Sequence, residues 1–196
     1  MKTEVINPDI DSKEWEKAEE GKILCDRWSG FYPVPKTCFK ILRGPEGISV
    51  LMHTEEKNLR AENREENSMV CEDSCMELFF KPDPWDVNYI NFELNPNGAM
   101  YLSVGSGRHG RQLLDVDRKI FSIVSVPNDG DWKLKFYIPD EFLMKYFNKI
   151  ASVCKANLYK CGEKTGHSHF GSWSDVKVDA PDFHMPDFFG ELEFKG

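Results

Sequence analysis

The 196-residue chain has no apolar run approaching the roughly 20 residues that a membrane span needs. Nor is there an excess of basic residues. The net charge is −8, whereas a nucleic-acid partner calls for a basic face. These two absences argue against membrane and nucleic-acid partners. The six cysteines, at 25, 38, 71, 75, 154 and 161, include no CxxC pair. Strand parity places Cys71 and Cys75 on one side of a strand, too far apart for a local bridge, so reduced and mostly buried thiols are expected. The first twenty residues, MKTEVINPDIDSKEWEKAEE, are polar and lack the apolar stretch of a secretory signal, which implies a cytoplasmic protein. Internal repeats, low-complexity tracts and domain linkers are also missing, so residues 1–196 are expected to form a single domain.

What is present is strand pattern. Residues 70–103 read as three consecutive strands. Met76, Leu78 and Phe80 alternate with Cys75, Glu77 and Phe79, and Ile90, Phe92 and Leu94 alternate with Asn91, Glu93 and Asn95. Asn95-Pro96-Asn97-Gly98 is a turn, because proline presets φ and Asn-Gly tolerates positive φ. Met100, Leu102 and Val104 then resume the inward set, with Tyr101 and Ser103 outward. Glu77, Asn91, Glu93 and Tyr101 therefore share the face opposite the core, where acceptors, donors and an aromatic on rigid strands make a polar ligand platform.

Elsewhere Asp11-Ser12 can cap a short turn in which Trp15 anchors the N-terminal segment. Residues 22–28, 37–43 and the ISVLMHTEE stretch are strand candidates, with GFYPVP separating the first two. KNLRAENREENS is a long charged loop. Gly105, Gly107 and Gly110 resemble a phosphate loop only superficially, because no helix pattern follows, and an ordinary flexible loop is expected there. Residues 119–126 and 131–138 form a hairpin that places Trp132 in the core. DEFLMKYFNKI supplies the one helix, capped by Asp140. ANLYKCG and FFGELEF complete the strand set, with Phe189, Leu192 and Phe194 as core candidates. The expected fold is all-β, a two-sheet antiparallel β-sandwich with one short helix.

The segments EDSCMELFF, YINFELNPNG, WKLKFYIP, ANLYKCG, HFGSW and PDFHMPDFFGELEF, in this order, resemble the carbohydrate-binding module family 9-like domains. The resemblance runs from about Trp15 to Phe194. It implies an immunoglobulin-like or jelly-roll sandwich and a carbohydrate ligand, with a sugar end held between two tryptophans, polar strand residues on its hydroxyls and structural calcium nearby. Trp173 matches the aromatic near the C-terminus, and Glu77 matches the acidic strand residue. Asn91 and Glu93 fall on the strand that supplies polar contacts, though their residue types differ from those of sugar-binding members. The first tryptophan is missing: Val70 or Cys71 stands before Glu-Asp-Ser, and Trp85 on the adjacent hairpin loop is the candidate substitute.

The leading expectation is a non-catalytic carbohydrate-binding domain. Trp173 would stack on the sugar beside Glu77, Asn91, Glu93 and Tyr101, and Arg60, Asn157, Lys160 and His169 are further candidate contacts. Strand parity allows at most one of Asn157 and Lys160 to face the platform. Two alternatives stay open. Glu77 directly opposite Glu93 would make a carboxylate pair of the glycosidase kind, whereas a register shifted by two would set Glu77 against Asn91. His167 and His169, with His184 downstream, would form a metal site if three such ligands converged; otherwise His169 and His184 would hydrogen-bond loop backbone or a ligand.

Overall fold

The computed structural model describes residues 7–28 and 32–194; part of the GFYPVP connection lies outside them. Two antiparallel sheets face one another. The first is built from β1 (Glu20–Ile23), β2 (Lys36–Arg43), β3 (Gly47–Glu55), β8 (Val124–Asn128) and β9 (Asp131–Pro139), in the order β1-β2-β3-β9-β8. The second contains β4 (Cys75–Lys81), β5 (Tyr89–Leu94), β6 (Met100–Gly105), β7 (Gln112–Leu113), β10 (Val153–Gly162) and β11 (His169–Ser172), in the order β11-β10-β4-β5-β6-β7. β12 (Gly190–Glu193) pairs with the first half of β10. This is the all-β sandwich that the alternation predicts. No helix among the described residues is long and apolar enough to cross a membrane.

The core between the sheets follows from period-2 alternation. Met76, Leu78 and Phe80 of β4 meet Ile90, Phe92 and Leu94 of β5 and Met100, Leu102 and Val104 of β6. Val50, Met52, Trp132, Leu134 and Phe136 come from the opposing sheet. Trp132 is fully buried, and its Nε1–H donates to Ser125 Oγ at 2.9 Å, which satisfies the polar end of the ring. Trp15 anchors the N-terminal segment as expected: it is buried and donates from Nε1 to the Asp9 carbonyl at 2.9 Å. Ser12 accepts from the Glu14 amide and caps the 3-10 turn Lys13–Lys17. Gly98 (φ 77°) and Gly130 (φ 81°) sit in the left-handed region at the two tight turns, where a side chain would be strained.

Local pattern fails where tertiary demands override it. The helix is one turn, Asp140–Leu143, and its cap position is Pro139. Asp140 instead accepts from Nη1 and Nη2 of Arg43, each at 2.7 Å. Phe142, Leu143 and Phe147 all enter the core at one end of the sandwich, which tightens the segment after the first turn. The strand expected over 119–126 starts only at Val124, because Asp117 caps a 3-10 turn over Arg118–Phe121 that buries Phe121. β1 likewise ends at Ile23, after which Cys25 makes an isolated bridge to Ser172. Cys71 lies in the 3-10 turn Val70–Glu72 rather than on a strand. None of the six cysteines is disulfide-bonded. The charged loop after β3 is tied down by Asp73, whose Oδ2 accepts from the amides of Glu62 and Asn63 and from Asn95 Nδ2 at 2.9 Å.

A charged cluster joins the sheets from inside. Lys160 lies on the core side of β10, fully buried. Its ammonium donates to the Cys161 carbonyl (2.7 Å) and to His169 Nε2 (3.0 Å), and it forms an ion pair with Glu56 Oε2 at 3.0 Å. Glu56, just past β3, also accepts from Ser74 Oγ at 2.8 Å. His169 carries its proton on Nδ1, which donates to the His167 carbonyl at 2.8 Å, and accepts from lysine on Nε2. Burial, then the neighbouring ammonium, holds the His169 imidazole down to about 4.

Two outcomes follow from this cluster. Glu56→Ala strands a buried lysine and should cost about 3–5 kcal/mol in urea denaturation. Glu55→Ala, one residue away in the exposed pair with Lys36, should leave stability essentially unchanged. In acid, the unfolded His169 takes up a proton near its ordinary value of about 6.5 while the folded residue resists down to about 4. Its contribution is therefore complete above pH ~6.5 and is lost as pH falls toward 4. His169→Asn should flatten that part of the stability–pH curve; an unchanged slope would refute the assignment.

Candidate functional site

The outer face of the second sheet carries a straight row of side chains. Tyr159 of β10 pairs with Glu77 of β4, Glu77 with Glu93 of β5, and Glu93 with Tyr101 of β6. The next row holds Asn157, Phe79, Asn91 and Ser103. Glu77, Asn91, Glu93 and Tyr101 thus share the face away from the core. The register sets the two carboxylates directly opposite each other, so the shifted alternative, Glu77 against Asn91, does not occur.

This face is covered rather than open. The chain after β11 folds back over it, and Val176, Phe183 and Phe189 pack on Phe79, Tyr89 and Tyr159. The Phe183 ring stacks on Tyr159 at 4.0 Å, and Tyr159 Oη donates to the Phe183 carbonyl at 3.0 Å. Phe189 therefore belongs to this second apolar layer and not to the inter-sheet core; Leu192 and Phe194 pack against the core itself. Between the cover and the row remains a cleft of about 520 Å³. Glu77 and Glu93 form its floor, Tyr101, Phe170, Phe183 and His184 its walls, and Cys71, Arg108, His109 and Glu163 lie around it.

Both carboxylates are buried, at 2% and 7% exposure. Glu77 accepts from the Cys161 thiol at 2.9 Å, and Glu93 accepts from Asn91 Nδ2 at 2.6 Å. Burial raises Glu77 above the ordinary carboxylate range. Burial and then the facing Glu77 charge raise Glu93 well above it. Glu93 is oriented from behind: Asn91 Oδ1 accepts from Ser103 Oγ (2.5 Å) and from Arg111 (2.7 Å), so the asparagine presents its amide to Glu93 in one orientation. Arg111 lies over the Tyr89 ring at 4.3 Å and donates to the carbonyls of Gly105 and Gly107. The glycine loop therefore wraps a cation with its carbonyls, the reverse of a phosphate cradle. His184 hydrogen-bonds Tyr89 Oη through Nδ1 at 2.8 Å, and burial, then Arg111, holds it down to about 4.

Several candidates from the sequence lie elsewhere. Trp173 does not line the cleft. Its indole is half-buried on the core side, edge-on to Phe39 at 5.5 Å and close over Gly190. Lys160 and His169 are on the inner face, committed to Glu56. Asn157 is on the outer side, but both ends of its amide bind the Ser174 backbone at 2.9 Å, fixing the start of the cover. Arg60 pairs with Glu62 and Asp73 outside the cleft. Trp85 is 86% exposed on the β4–β5 connection and does not line the cleft. His167 is exposed and stacks on Tyr32 at 3.7 Å, and among the described residues no histidine belongs to a group with metal-ligand spacing, so the histidines do not converge. Among the described residues the group with metal-ligand spacing is instead Cys75, Glu77 and Cys161.

Arg111, Phe170, Phe183 and Cys161 are the site residues that sequence reasoning missed. The only local signal was the aromatic PDFHMPDFF run, too rich in apolar residues for an exposed loop.

The sequence profile described as "Carbohydrate-binding family 9" matches residues 10–194. No curated protein compared with the chain matches it. Among solved structures, one similar to this chain is a Bacteroides uniformis protein provisionally named carbohydrate-binding. It has 27% identity and a TM-score of 0.82, with 93% of this chain and 88% of that one covered. A family 9 carbohydrate-binding module from Caldicellulosiruptor kristjanssonii, in complex with cellotriose, has 14% identity and a TM-score of 0.66, covering 98% and 89%. The module from the same organism in complex with glucose has 15% identity and a TM-score of 0.66, covering 96% and 92%. With a profile that spans nearly its whole length and a sandwich of the same architecture, the chain belongs to carbohydrate-binding family 9.

Proposed function

We propose that the cleft over Glu77 and Glu93 binds a mono- or oligosaccharide without turning it over. The observation that carries this reading is the row Tyr159–Glu77–Glu93–Tyr101, which sets two desolvated carboxylates beside half-buried aromatic surface in a cleft of about 520 Å³. A sugar has an apolar C–H face and a rim of hydroxyl donors, and this site offers a counterpart to each. The carboxylates act as acceptors for hydroxyls; Tyr101 and Phe170 supply contact surface. Without a tryptophan on either wall the contact is one-sided or narrow, so affinity is expected in the millimolar range, about −4 kcal/mol.

One feature favours a second reading, a glycan-active enzyme. Directly opposed strand residues put Cβ atoms about 4.5–5.5 Å apart, and a buried carboxyl with a raised pKa is what a general acid at neutral pH requires. Turnover of a glycan that disappears in Glu77→Gln would establish it; binding without turnover supports the first reading.

Calorimetry or NMR titration against a glycan panel that includes glucose and cellotriose tests the proposal. Glu77→Gln and Glu93→Gln should each weaken binding by up to roughly tenfold, the loss of a hydrogen bond of about 0.5–1.5 kcal/mol. Tyr101→Ala should weaken it up to about tenfold. Trp173→Ala should lower stability by about 2–3 kcal/mol, as a half-buried aromatic truncation, and leave the affinity of the folded protein unchanged. No heat across the panel, or lost affinity in folded Trp173→Ala with Glu77→Gln silent, would overturn this site.

A further inference from the structure

Cys75, Glu77 and Cys161 form a donor group beside the sugar-facing surface. Cys75 and Glu77 are two apart on β4 and so point the same way, and Cys161 of β10 is the direct partner of Cys75. Their ligand atoms all lie within 4.8 Å of one another, and Cys161 Sγ is 2.9 Å from Glu77 Oε1. All three residues are buried, and the cleft reaches Cys161 and Glu77. Tetrahedral ligands at zinc bond lengths stand about 3.3–3.8 Å apart, so rotamer adjustment of about an ångström closes the group around an ion.

Charge favours an ion there. Glu77 and Glu93 face each other out of water, and the cations near them are committed elsewhere. Arg111 is bound to Asn91 and the Gly105 and Gly107 carbonyls, and Lys160 is bound to Glu56 and His169 on the far side of the sheet. Two sulfurs with one carboxylate select a zinc-class cation over calcium or magnesium, which take all-oxygen sets.

We propose that Cys75, Cys161 and Glu77 bind one thiophilic divalent cation of the zinc class, with its fourth position facing the cleft. Two S–H bonds break, two metal–sulfur bonds form, and the two thiol protons leave to solvent; Glu77 binds as its carboxylate, and where it starts protonated its carboxyl proton leaves as well. The site exists whether or not the cleft takes a sugar. An ion held by these three ligands would leave its fourth position open to a water or a ligand hydroxyl, the arrangement of three protein ligands plus one exchangeable ligand.

The test uses the full, reduced chain. Zinc is titrated against a chromophoric chelator, and cadmium is titrated with ultraviolet detection of thiolate-to-metal charge transfer. One equivalent should bind with a charge-transfer band, and calorimetry in buffers of different ionisation enthalpy should read between two and three protons released per zinc, two from the thiols and the remainder from Glu77. Cys75→Ser and Cys161→Ser should each lose affinity by at least about a hundredfold, more than the roughly 10–100-fold cost of losing an outer partner. Cys38→Ser, remote from the group, should bind as wild type, and excess calcium should not displace zinc. No charge-transfer band in the wild-type chain overturns the proposal without reference to any variant's folding. So does stoichiometric zinc retained by a folded Cys75→Ser/Cys161→Ser double variant. Because the band reports thiolate ligation directly, a glycan panel without heat leaves this result readable.

Discussion

Burial of β4 on both faces is the constraint on which the rest of the architecture depends. Its inner residues form the centre of the inter-sheet core. Its outer residues, Cys75, Glu77 and Phe79, are as inaccessible as the inner ones. A strand with apolar residues on only one face can leave its other face to water. Phe79 on the outer face, with Tyr89 and Tyr159 beside it, cannot be left so, and the chain after β11 supplies Val176, Phe183 and Phe189 to cover them. Covering the aromatics also encloses the two glutamates, and the cleft is the part of the covered row that stays accessible.

The sheet therefore holds charge on both sides in opposite ways. On the inner face Lys160 hydrogen-bonds the Cys161 carbonyl and His169 and is ion-paired with Glu56. On the outer face Glu77 and Glu93 face each other, with hydrogen bonds from a thiol and an amide, and their ionisation is disfavoured. The ion-paired cluster joins the two sheets from inside, while the outer carboxyls are held by a thiol and an amide at the edge of the cleft. The two faces lie one strand thickness apart, and the parity of residues 160 and 161 on β10 decides which side chain joins which cluster.

Membership of family 9 goes with the architecture, and the cleft is lined by Glu77, Glu93, Tyr101, Phe170, Phe183 and His184. The two-tryptophan clamp that the resemblance implies is absent from the cleft: Cys71 stands near the first position, and Trp173 braces Phe39 and β12 instead. What the cleft has is a carboxylate pair with thiols at one end and His184 at the other, a more polar and more acidic floor than two indoles would make.

The sequence by itself determined whatever depends on chain periodicity and local turn chemistry. It gave the two-sheet fold, the Asn-Pro-Asn-Gly turn, the buried Trp132 and Trp15, and the shared outer face of Glu77, Asn91, Glu93 and Tyr101. Each follows from alternation or a cap within a few residues. Tertiary structure decided what stands across from each face. Lys160 and His169 look like surface residues until Glu56, over a hundred positions earlier, meets them between the sheets. Arg111 looks like part of a flexible loop until Asn91 and Tyr89 fold beneath it. Trp173, Asn157 and the aromatic C-terminal run have roles only once the cover closes over β4 and β10. Alternation says which side of a strand a residue takes; only the packing of distant segments says whether that side meets water, a partner charge or a ligand.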